Sequence, residues 1–339
     1  MKILFISGTS ENNLTDYMND LTLHGLRSLF GNDVIDYPGC WYLYSDEVKK
    51  RNFDTNELWG KGFNLNDSFE GYDLINRNDI NAKIKSKYFD LIIYGSIRRS
   101  SHFLDEVIKS GTKYIFIDGN DDRLIDENYA NKSIYFKREL LKETLNIKPI
   151  NFSIPKNKII KEVNFKPKNL LSPLIPGRLQ TSIYKNENSY NQMYQNSVFA
   201  LTYRKGGWDC FRHYEILMNG CIPLHLEINK CPDKTLEKIP KDLLKEILKK
   251  YEWILSNYNP FFIYKYKFLD IKKIMLFLIS SIKSNKSLEN FIHNNEEVFE
   301  IKKQLLNYTK NNLTTEVMAK EVIEKFKSLS KNIRNNKYV

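Results

Sequence analysis

The sequence predicts an α/β protein made of two parallel-sheet halves, and three observations carry that expectation. Short, near-continuous apolar segments alternate with stretches of helical spacing in the first half of the chain. The same alternation resumes from Ser197, and a proline-rich passage lies between the two. Unbroken apolar strands separated by helices belong to a parallel sheet covered on both faces. A length of 339 residues is enough for two domains. A composition of 42% hydrophobic and 27% charged residues excludes a disordered chain.

The elements follow in order. Ile3–Ser7 is short, apolar and β-branched, a first strand and too short an apolar stretch for a signal peptide. A polar loop, Gly8–Asn13, leads to a helix expected over Leu14–Phe30, where Leu14, Tyr17, Met18, Leu21, Leu26 and Leu29 recur at helical spacing before Gly31. Val34-Ile35 opens a second strand, and an aromatic insertion, Tyr37–Phe69, carries Trp41, Tyr42, Tyr44 and Trp59. A strand over Asp90–Gly95, a helix over Phe103–Ser110 and a strand over Tyr114–Gly119 complete the first half. Asn146–Gly177 holds five of the ten prolines and reads as a passage with one strand, Ile150–Ile154. The second half brings a strand (Ser197–Tyr203), a glycine-containing loop (Arg204–Cys210), a helix (Phe211–Met218) stopped by Asn219-Gly220, and a strand (Cys221–Leu226). Helical spacing runs from Lys241 to the end, interrupted near Asn259-Pro260.

Composition narrows the function classes. No apolar run approaches the ~18 residues of a spanning helix; the longest, Ile274–Ile279, is bracketed by Lys272, Lys273 and Lys283. The four cysteines (Cys40, Cys210, Cys221, Cys231) form no C-x-x-C pair, so neither a zinc knuckle nor a disulfide scaffold is indicated, and a reduced cytoplasmic protein is the default. The net charge of +11 is concentrated. Asn131–Gln180 holds eleven basic and three acidic side chains, and Ile301–Val339 nine and three. Such an excess suits nucleic acid, an anionic membrane face or a phosphorylated small substrate, or simply solvates the surface.

Parallel sheets bind ligands beyond the carboxyl ends of their strands. The polar groups expected there are Thr9, Ser10 and Glu11, then Ser96, Arg98 and Arg99, then Asp118, Asn120, Asp121 and Asp122. In the second half, Gly206 and Gly207 let backbone amides approach an anion, with Arg204 and Lys205 beside them and a helix amino terminus following. Amide donors, a helix dipole and two cations at one point make a diphosphate site. Glu215 lies one turn after Arg212 and can accept two hydroxyl hydrogen bonds, as a ribose offers. The competing structural reading is a helix salt bridge beside a glycine turn.

The string S-V-F-A-L-T-Y-R-K-G-G-W-D-C-F-R-H-Y-E-I-L-M-N-G-C-I-P-L-H-L, Ser197–Leu226, resembles the nucleotide-sugar segment of exostosin-like glycosyltransferases. Arg212, Glu215, Gly220, Cys221, Ile222 and Pro223 match that family's pattern; Ile216, Leu224 and Phe211 depart from it, Phe211 standing where a serine is usual. More distantly it is similar to the donor-site helix of GT-B transferases: two facing Rossmann-like domains with a C-terminal helix crossing back to the first. The resemblance covers about thirty residues; Tyr308–Phe326 also looks like the closing helices of that architecture. It implies domains at 1–163 and 164–310, with 311–339 returning to the first. It also implies a ribose contact for Glu215 and a UDP- or GDP-sugar co-substrate. The acceptor would be a hydroxyl of a glycan or lipid-linked molecule, with no cofactor, no essential metal and inversion at the anomeric carbon.

Transfer needs a stabilised diphosphate and a base for the acceptor hydroxyl. Arg204, Lys205 and Arg212 suit the first task, with Arg178 in Pro176-Gly177-Arg178 as a further candidate. For the base, Asp118, Asp121, Asp122 and Glu11 follow strands of the first half. The acidic cluster lacks the D-x-D of a metal-dependent GT-A transferase. His24 reads as a core or surface histidine, and His213 and His225 are spaced too widely for a metal pair on one helix. Trp208, between Gly207 and Asp209, reads as a loop residue available to stack on donor. Glycosylation of modified DNA bases and non-catalytic nucleotide-sugar binding are the alternatives. The basic region would serve DNA, an anionic membrane surface met peripherally, or acidic acceptors.

Overall fold

The computed structural model describes residues 1–9, 14–66, 68–256 and 296–335. Six parallel strands form the first sheet: β1 (Ile3–Ile6), β2 (Val34–Tyr37), β3 (Leu91–Tyr94), β4 (Tyr114–Asp118), β5 (Ile134–Lys137) and β6 (Ile147–Pro149), in the order 2-1-3-4-5-6. Three more, β7 (Asn169–Leu171), β8 (Ser197–Thr202) and β9 (Ile222–His225), form a second parallel sheet in the order 7-8-9. The protein is therefore α/β with two parallel sheets, an arrangement compatible with two Rossmann-like halves.

Strand β1 lies between β2 and β3, pairing Ile3 with both Val34 and Leu91. That central seat explains its sequence: Ile3, Leu4, Phe5 and Ile6 are all fully buried, so no residue alternates towards water. The strand order reverses direction at β1, which opens a switch point beyond the ends of β1 and β3. Gly8 fits there because a Cβ would stand 2.5 Å from the Ser96 Cβ.

The first helix, α1 (Tyr17–Phe30), starts three residues later than the apolar spacing suggests. Asp16 caps it, its carboxylate accepting from the Met18 and Asn19 amides at 3.1 and 3.3 Å. Short helices follow: α2 (Ser45–Lys50), α3 (Ile80–Lys85), α4 (Leu104–Ser110), α5 (Glu127–Ala130), α6 (Glu187–Gln195), α7 (Phe211–Met218), α8 (Lys241–Tyr251) and α9 (Trp253–Ser256). Then come α10 (Glu296–Asn312) and α11 (Thr315–Asn335). Helix α11 packs along α1. A Cβ on Gly25 would overlap the Thr315 carbonyl, and His24 Nδ1 meets Thr315 Oγ1 at 2.8 Å. Burial pushes the His24 imidazole down to about 4, so it packs as a neutral ring. The last helix thus returns to the first half.

The proline-rich passage differs from expectation. Its strand is Ile147–Pro149, on the edge beside β5, and not Ile150–Ile154. Beyond Pro149 the backbone bonds to two different elements instead of one ladder. Phe152 N donates to Asp209 Oδ2 at 2.8 Å, while Ile154 exchanges hydrogen bonds with Leu313 and Thr315 at the α10–α11 turn. The aromatic insertion is a set of tight turns around α2. Tyr42 and Tyr44 are fully buried, with hydroxyls on Asp20 and Asp36, so they serve packing. Trp41 meets the Phe53 ring edge-on and lies under Arg51. The segments Ile274–Ile279 and Asn259-Pro260 lie outside the described residues. No helix among the described residues is long and apolar enough to cross a membrane.

Candidate functional site

The β8–α7–β9 unit places the residues singled out in the second sheet. Strand β8 is buried along its whole length, and its end turns through Arg204–Cys210 into α7, whose first residue, Phe211, stacks on Tyr17 of α1 (4.7 Å, 24°). An aromatic contact between halves thus occupies the position where the resembled family usually has serine. Cys210 gives α7 no side-chain cap, which leaves its amino-terminal dipole to other partners.

Arg212 and Glu215 lie one turn apart on α7, but they do not form the helix salt bridge of the competing reading. Glu215 is buried and engaged at both oxygens: Oε2 accepts from the Tyr190 hydroxyl at 2.8 Å, Oε1 from the Asn64 amide at 2.9 Å. Desolvation raises its pKa, opposed by those two bonds and by Arg212. Arg212 Nη1 is buried and has no hydrogen-bond partner among the described residues. An unpartnered buried guanidinium N–H costs about 1–3 kcal/mol or more. Lys205 is its neighbour: desolvation first, and then the Arg212 charge, lower the Lys205 ammonium below its usual range. Lys205 itself is exposed, so this cation pair opens towards solvent.

The glycine loop itself is engaged differently from the expectation. Its Trp208 and Asp209 amides donate to Glu139 Oε2 and Oε1, both at 3.0 Å. A Cβ on Gly206 would overlap the Asp121 carboxylate, and one on Gly207 would lie 2.5 Å from Glu139 Oε1. The glycines therefore admit carboxylates of the first half, where the sequence pointed to a diphosphate. Arg138 locks this contact. Almost fully buried, it pairs with Asp121 and with Glu139 (3.1 Å), and donates to the Gly119 carbonyl (2.9 Å) and to the Asp209 carbonyl.

Other candidates fall at varied places. Arg204 is half-exposed, pairs with Glu227 at 3.7 Å and lies over the Trp208 ring. Trp208 lies in the loop but its side chain is core, because its ring stacks on His225 (6.3 Å, 15°) beneath Arg204. Burial lowers both neighbouring imidazoles, His225 to about 4 and His213 well below its ordinary value, and His213 bridges Thr202 Oγ1 and the Trp208 carbonyl. Arg178 sits in a turn tied to the end of β8, where the Tyr203 hydroxyl donates to the Pro176 carbonyl at 2.7 Å.

The acidic cluster divides. Asp118 is fully buried and saturated by Lys137 (3.0 Å), Arg98 (3.1 Å), the Tyr135 hydroxyl and the Asn120 amide, which makes it structural and corrects its place among the base candidates. Asp122 is exposed beside Lys137 and Arg98; desolvation works upward, but those cations and the Leu124 amide hold it below the usual carboxylate range. Asp121 is the member of the cluster that reaches the glycine loop, and its carboxylate is 61% exposed. Glu11 lies outside the described residues.

Sequence reasoning missed Asn64, Tyr190, Arg138 and Glu139. A W-G-K-G-F-N string, rich in residues tolerant of positive φ, was the local signal for the first; the others carry no motif. No protein-family model matches the chain, and no curated protein matches it significantly.

Proposed function

We propose that the protein is a glycosyltransferase of GT-B type. It moves a sugar from a nucleoside diphosphate to a hydroxyl of a glycan or lipid-linked acceptor, without an essential metal and with inversion. The observation that carries this reading is the orphaned, buried Arg212 Nη1 beside Lys205, one turn from a buried carboxylate. Phosphate supplies what the guanidinium lacks, and Glu215 offers acceptor capacity for a ribose.

In the reaction the acceptor oxygen bonds to the anomeric carbon as the bond from that carbon to the phosphate oxygen breaks. The electron pair leaves on the diphosphate, where Lys205 and Arg212 meet the developing charge. Asp121, exposed across Gly206 and paired with Arg138, would take the acceptor proton. The resemblance of Ser197–Leu226 to exostosin-like enzymes agrees with the donor-side roles of Arg212 and Glu215. A second reading, nucleotide-sugar binding without chemistry, draws on Glu139 filling the glycine loop.

Thermal stabilisation by UDP-, GDP- and CMP-sugars, followed by nucleotide release with varied acceptors, tests the proposal. Stabilisation with release supports transfer, whereas stabilisation without release supports the non-catalytic reading. Glu215→Ala is expected to weaken donor binding about tenfold; unchanged affinity would remove Glu215 from the site.

A further inference from the structure

The bond between Asn64 and Glu215 has a consequence that rests on the donor reading of Glu215. Asn64 belongs to the aromatic insertion, 151 positions from its partner, and is fully buried. Its segment is conformationally costly: Gly60, Lys61, Gly62 and Asn64 have φ of 62, 58, 64 and 65°. Left-handed backbone is free for glycine but strained at Lys61 and, less so, at Asn64. Three further polar ties and one ring contact join it to the second half, while Leu65 at its end is anchored in the core. Lys61 Nζ donates to the Tyr184 carbonyl (2.7 Å), Asn64 N to Glu187 Oε2 (2.8 Å), and Asn191 Nδ2 to Asn64 Oδ1 (2.8 Å), with Phe63 tilted against Tyr190. Trp59, at the head of the segment, is 71% exposed.

An amide N–H on a carboxylate oxygen is the bond a ribose hydroxyl would make there. We propose that Trp59–Asn66 is a displaceable plug: Asn64 holds the Glu215 carboxylate until the ribose diol of a nucleoside diphosphate replaces it. Relief of the left-handed residues offsets part of the hydrogen bonding lost when the segment lifts. The apparent affinity for nucleotide is then reduced by the fraction of time the plug is seated.

UDP and GDP titrated into the full chain test this, together with hydrogen exchange of residues 60–66. Asn64→Gly keeps the left-handed backbone without strain and removes the amide; nucleotide is expected to bind it about tenfold tighter than wild type. Lys61→Met loosens the same segment with the buried Asn64 intact, and shifts affinity less in the same direction. In wild type the 60–66 amides are expected to exchange faster with nucleotide bound. Equal or weaker binding by both variants, or slower exchange on binding, overturns the plug and leaves the donor reading standing. Absence of nucleotide binding by folded wild type and variants alike overturns both.

Discussion

At the glycine loop the two halves meet through charge, with Arg138, Asp121, Glu139 and Asp209 packed around Gly206 and Gly207. Over Glu215 they meet through Asn64, on a strained loop of the first half, which bonds to Glu215 and to Asn191 of α6. The first contact buries a cation that must keep its counter-charges, because separating buried ions is expensive. The second is made of hydrogen bonds that a ligand hydroxyl can replace nearly one for one. The difference teaches which contact fixes the halves together and which is the cheaper to open.

The largest effect is expected at the charged contact. Arg138→Met strips the counter-charge from Glu139 and Asp209, which are both buried, and should lower the unfolding free energy by about 3–5 kcal/mol in a urea titration. A loss under about 1 kcal/mol would show that charge does not hold this contact. Next comes Asp209, whose carboxyl burial pushes up to about 6 against the pull of Arg138 and the Phe152 amide. A raised folded pKa gives stability that is full below the unfolded value near 4 and lost as pH rises through 6. Asp209→Asn removes that loss while keeping an acceptor for Phe152. The variant should therefore gain on wild type by roughly 3 kcal/mol between pH 3.5 and 7. A pH-independent difference would mean that Asp209 is ionised without penalty.

These same contacts divide what local sequence encodes from what it does not. Helix Phe211–Met218 was legible to the residue because its apolar face and the Asn219-Gly220 stop are local signals. The central strands β1, β3, β4, β8 and β9 were legible as apolar runs between turns. Strand β5 was not: four residues, Ile134–Lys137, lead directly into Arg138 and Glu139, and burial of those charges depends on Asp118 and on a loop seventy residues away. The Arg212–Glu215 pairing of residue types was visible, but their separation in space was not. That separation follows from Asn64 and Tyr190 claiming the carboxylate, contacts 151 and 25 positions distant. Trp208 was misplaced for a similar reason, since its glycine neighbours mark a loop while His225, on the next strand, makes it core.

The smallest stability change and the sharpest functional one are expected from a single substitution. Arg212→Met, measured by urea unfolding and by titration with UDP and GDP, tests whether the orphaned guanidinium exists for an anion. Replacing an uncompensated buried donor with a hydrophobe should leave stability within about 1 kcal/mol of wild type or raise it. Nucleotide binding should meanwhile weaken at least tenfold, by about 1.5–3 kcal/mol. A variant that is strongly destabilised yet binds nucleotide as wild type does would contradict the account, making Arg212 a structural cation.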